Sequence, residues 1–158
     1  MRYFIIGLLL IINSTLNAQN KEEEIVSYDY LEMISFTVND YKNTFFIMNE
    51  GSSSEEKGSY YNFDKEKLKQ INTIFNKYML HERFSSFAIN GHYVSEEGCL
   101  KMSEVVLTIN ISYSWGEWQY NLLMTNKENA FNLLRDIDAI FGNEHKMSKL
   151  IDEIRNIK

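Results

Sequence analysis

The 158-residue chain has no proline, one cysteine and seven glycines. A single cysteine excludes an intramolecular disulfide, so a core rather than a covalent framework has to hold the fold. None of the glycines forms a phosphate-cradling loop or a dinucleotide fingerprint, and neither HExxH nor GxSxG occurs. The usual sequence signatures of an enzyme are therefore missing. Positive charge is also scarce: 16 basic against 22 acidic residues leave a formal charge of −6. That balance argues against a nucleic-acid partner, whose electrostatic footprint is a basic patch. Beyond residue 12 no apolar run approaches the roughly 20 residues that a membrane-spanning helix needs. The lack of proline accompanies abundant Asn, Lys, Ile, Phe and Tyr, with lysine far ahead of arginine. Codon bias of an AT-rich genome explains both, which points to a bacterial origin.

What is present begins with Arg2, the apolar run Tyr3 to Ile12 broken only by Gly7, and the polar stretch Asn13 to Ala18. Positive start, short apolar centre and small residue at the cut are the features that export machinery and signal peptidase read. Residues 1–18 are thus expected to be a cleavable signal, cut after Ala18, and residues 19–158 one domain. Loss of Arg2 takes the formal charge from −6 to −7.

From Val26 the even positions Val26, Tyr28, Tyr30, Ile34, Phe36 and Val38 are apolar and Glu32 breaks the series. This period of two predicts a strand with one buried face, bulged near Glu32. Thr44 to Asn49 reads as the return strand, 51–58 as a solvated loop, and Ser59 to Phe63 as a short third strand. Asp64 then caps a helix whose Leu68, Ile71, Ile74, Phe75, Tyr78 and Met79 share one stripe. Residues 81–103 read as an irregular stretch punctuated by Asn90-Gly91 and Gly98. Alternation returns over Glu104 to Tyr113 and over Trp118 to Met124, joined by the turn Ser114-Trp115-Gly116. Thr125 to Glu128 has the form of a capping box opening a second helix, with Gly142 as its left-handed stop. Met147, Leu150, Ile151 and Ile154 mark a third helix. The order β-β-β-α-β-β-α-α predicts an α+β fold: an antiparallel sheet of about five strands with helices on one face, in two layers.

Three constellations bear on chemistry. His81, His92 and Cys99, with Glu96 and Glu97 beside them, offer zinc-type ligands, but their spacing matches no zinc module. His81 suits a helix end, and Cys99 is expected to be a small buried apolar residue rather than a nucleophile, since adjacent acids disfavour a thiolate. Glu55-Glu56 and Glu96-Glu97 are adjacent acids in polar loops, unlike the opposed carboxyls of a glycosidase. In the turn Tyr113 to Trp118, alternation sends Trp118 to the core and leaves Trp115 at a tip next to Glu117. Exposed aromatics rimmed by charge are typical protein-binding anchors. No catalytic, metal-ligating or cofactor-binding set is assigned. The candidate binding residues are Trp115, Glu117, His92, Glu96 and Glu97.

By elimination, the expectation is an exported, non-enzymatic binding protein of the periplasm or cell exterior. An inhibitor or immunity role against a toxin or hydrolase fits, with a basic protein as partner. The alternatives are a secreted hydrolase with its site in 81–103 and a structural envelope component.

Overall fold

A computed structural model describes residues 24–38, 43–50, 60–79, 87–89, 92–95, 98–114, 119–142 and 144–157. The fold is α+β. A five-stranded sheet is ordered β3-β2-β1-β7-β8, from strands β1 (Leu31–Val38), β2 (Asn43–Asn49), β3 (Tyr60–Phe63), β7 (Leu107–Tyr113) and β8 (Gln119–Met124). Three helices, α1 (Lys65–Met79), α2 (Lys127–Ile140) and α3 (Ser148–Asn156), pack on one of its faces. No described helix is long and apolar enough to cross a membrane.

The predicted alternation is what builds the core. Ile34, Phe36 and Val38 of β1, Phe45 and Ile47 of β2, and Leu107, Ile109 and Ile111 of β7 are all buried on the helix side. They meet Leu68, Ile71, Phe75 and Met79 of α1, Leu134 and Ile137 of α2, and Leu150 and Ile154 of α3. The β1–β7 register shifts between Leu31 and Met33, the bulge expected at Glu32, which stays exposed while Leu31 returns to the core. Asp64 accepts a hydrogen bond from the Lys67 amide at 2.7 Å, capping α1 as predicted. The cap of α2 falls on Asn126, one residue beyond Thr125, with the Asn129 amide at 2.9 Å from its side chain. Gly142 stands at φ +81°, closing α2 in the left-handed conformation.

Two features correct the expected architecture. The sheet is mixed rather than antiparallel, because β3 runs parallel to β2, with Phe46 beside Tyr60 and Asn49 beside Phe63. Period two sorts residues between faces but is blind to strand direction. Tyr61 and Phe63 reach the core either way. Second, the stretch 81–103 is not a plain loop. It contains β4 (Phe87–Ile89), β5 (His92–Ser95) and β6 (Gly98–Lys101), a separate antiparallel sheet in the order β4-β5-β6. Ile89 pairs with His92 and Ser95 with Gly98. Strands this short carry too few alternating residues to stand out in a sequence.

The small sheet adds a third layer over part of the other face. Tyr93, Leu100 and Met102 pack with Val105 and Leu123, and the Tyr93 and Thr108 hydroxyls are 3.5 Å apart. Elsewhere that face carries polar pairs, Asn110 Nδ2 donating to Ser35 Oγ (3.2 Å) and the Thr37 and Thr44 hydroxyls meeting at 3.1 Å. The segment before β1 is fastened to α1 by one side chain. Asn72 Oδ1 accepts from the Val26 amide and its Nδ2 donates to the Val26 carbonyl, both at 2.8 Å.

Candidate functional site

Of the predicted binding residues, only His92 is among those described. His92 opens β5, half-buried and paired with Lys101. Glu96 and Glu97 lie outside the described residues, but their flanking partners Ser95 and Gly98 sit at the far end of β5, about 10 Å from His92 at the usual strand rise. Cys99 is exposed, not buried as expected. It pairs with Val94 on the outer side of the small sheet, because Tyr93 and Leu100 occupy the inner side. His81 lies outside the described residues. Among the described residues no three His, Cys, Asp or Glu side chains group as metal ligands would.

Trp115, Glu117 and Trp118 also lie outside the described residues, but Ser114 before them is described. The Ser114 amide donates to the Tyr30 carbonyl at 2.8 Å, and Leu31 pairs with Tyr113. Tyr30 has φ +63°, a left-handed conformation that costs a non-glycine residue about 1 kcal/mol or more. Its side chain is nevertheless 62% exposed, the most exposed large apolar residue described. Tyr30 was predicted to be a core-facing member of the first strand. The left-handed turn that precedes β1 rotates it outward instead.

A second site was missed by the sequence reading. An open cleft of about 620 Å3 lies along β3 and the end of α2, lined by Glu50, Tyr60, Asn62, Lys67, Glu144 and Lys146. Its floor is the Tyr61 ring, stacked on Phe141 with centroids 4.2 Å apart and planes 6° from parallel. Lys146 stands 5.2 Å from the Tyr61 ring centre and Lys67 stands 5.3 Å from that of Phe141. Lys146 also bridges to Glu144 (2.7 Å) and to the Tyr60 carbonyl (3.4 Å).

Beneath the floor, the Tyr61 hydroxyl donates to Asp138 Oδ1 at 2.5 Å, and the Met147 amide donates to the same oxygen at 3.3 Å. Burial first, and then the bond to Asp138, lift the Tyr61 hydroxyl well above its ordinary pKa, against the opposing effect of the Lys146 amide. A phenol held protonated and aimed at a buried carboxyl is no nucleophile. It pins the turn between α2 and α3 to the sheet. The signal for it was an acid, Asp138, set inside the apolar stripe of α2.

A scan of protein-family models finds no match, and neither the search of curated proteins nor that of solved structures finds a similar one.

Proposed function

We propose that this chain is an exported, non-enzymatic binding protein that engages a basic protein partner, in the manner of an inhibitor or immunity protein. The single observation that carries the reading is Tyr30. Holding a bulky ring in a left-handed turn costs conformational energy, and leaving it 62% exposed recovers little of that through burial. Glycine or asparagine would fill the same turn at lower cost. The Tyr30 carbonyl accepts from the amide of Ser114, the residue that precedes Trp115 in the sequence. Tyr30 offers aromatic contact area, and the acidic balance of the chain favours a basic partner.

The test compares wild type with Tyr30→Gly and Trp115→Ala. Tyr30→Gly should keep or raise stability, by up to about 1 kcal/mol, because glycine accepts the positive φ. Both variants should weaken binding by at least about 2 kcal/mol, as hot-spot truncations do, to a partner captured from the source's exported proteins. Iodide should quench Trp115 fluorescence in the free protein. Shielding of both tryptophans, together with unchanged capture by Tyr30→Gly, would refute the reading.

A further inference from the structure

The outer edge of β3 carries an inference that does not depend on the Tyr30 corner. In a parallel ladder the amide and carbonyl of one residue face the same neighbour, and those of the next residue face away. The Glu50 amide donates to the Phe63 carbonyl, so Phe63, and with it Tyr61, faces β2. Tyr60 and Asn62 therefore direct their amides and carbonyls outward. β3 is an end strand of the sheet, and both residues are exposed. Among the described residues, only the Lys146 ammonium meets these outward groups, at the Tyr60 carbonyl. The cleft runs along this edge, with the residues around the end of α2 as its opposite wall.

We propose that the β3 edge receives an extended segment of another protein as an added strand. Four outward backbone groups in alternating donor and acceptor order specify an extended peptide backbone. At about 3.3 Å per residue, the four-residue edge matches a segment of three or four residues. The cleft carries charge of both signs, Lys67 and Lys146 against Glu50 and Glu144. That lining suits a polypeptide of mixed charge better than a purely anionic or cationic ligand. Lys146 yields the Tyr60 carbonyl to the incoming amide and keeps its ion pair with Glu144.

The probe is a capped peptide of about six residues, alternating valine and threonine with a lysine and a glutamate near its ends. Titrated into the isotopically labelled protein, it should slow hydrogen exchange at the Tyr60 and Asn62 amides at least about tenfold. Those of Tyr61 and Phe63, already bonded to β2, should change little. The same peptide N-methylated along one edge should bind at least about tenfold more weakly. Asn62→Pro removes one outward donor without touching the β2 ladder, and should weaken binding to a similar degree with an unchanged melting temperature. Should that variant fail to fold, the N-methylated peptide decides alone. Unchanged exchange at Tyr60 and Asn62 at about 1 mM peptide, or equal binding of both peptides, overturns the proposal. Protection of the same amides by self-association of the protein alone would overturn it too, with a second copy as the occupant.

Discussion

Removal of the Tyr61 hydroxyl is the most direct test of how the cleft floor is held. Tyr61→Phe keeps the ring, its 3% exposure and its stacking on Phe141. It deletes the 2.5 Å bond to Asp138 and the acceptor for the Lys146 amide at 3.3 Å. Asp138, 4% exposed, is left with the Met147 amide at 3.3 Å and His145 Nδ1 at 3.9 Å, neither a short contact. A hydrogen bond to a charged group contributes roughly 1.5–3 kcal/mol, and the long Lys146 contact adds little, so a loss near 2 kcal/mol is expected. Asp138→Asn keeps an acceptor oxygen for both donors and should cost about half as much. Urea unfolding should show a lower midpoint at an unchanged slope. A loss below about 0.5 kcal/mol for Tyr61→Phe would refute the bond. A pH series gives a second reading. The hydroxyl titrates higher in the folded than in the unfolded chain, where it sits near 10.0, so its stabilisation is complete below that value. It is lost as pH rises beyond it, because the unfolded state ionises first. The stability gap between wild type and Tyr61→Phe should therefore shrink above about pH 10, and a constant gap would contradict the assignment.

Gly142→Ala meets no atom within 4 Å, yet at φ +81° it should cost about 1–2 kcal/mol by conformation alone, read from the urea midpoint. Burial alone would raise the Asp136 carboxyl, but hydrogen bonds from Tyr78, Lys77 and Arg135 outweigh it and hold the group below its usual 3.8. Its contribution is thus present above that value and lost as pH falls further; Asp136→Asn should cost about 1 kcal/mol or less at neutral pH and progressively less in acid. For export, the intact mass of protein recovered from the envelope or medium should match a chain starting within a residue or two of Gln19, and a full-length cytoplasmic product would sink the assignment.

Much of the fold was legible because its longer elements each repeat one period often enough. β1, β7 and the stripes of α1 and α2 each carry three or more buried apolar residues in step, and Asp64 and Gly142 mark helix ends by mechanisms local to the chain. What stayed illegible was relational. Alternation in Tyr60 to Phe63 could not say that β3 runs parallel to β2. Strands of three or four residues between Phe87 and Lys101 could not announce a second sheet. Of the candidate site, only His92, paired with Lys101, falls among the described residues.

Tyr30 and Asp138 both break a local rule, and the difference between the breaks bears on the proposed function. Asp138 puts a carboxyl in an apolar stripe, and the structure answers it with a short bond from Tyr61 and an amide from Met147. Such a break is satisfied inside the molecule, so its loss should register as stability. Tyr30 puts an aromatic ring in a left-handed turn, and the ring remains 62% exposed, so burial does not offset the strain. A sequence that specifies its fold consistently departs from local preference mainly where something else is selected. At Asp138 the offset lies within the fold. At Tyr30 burial does not supply it, which supports the proposed contact surface at that corner.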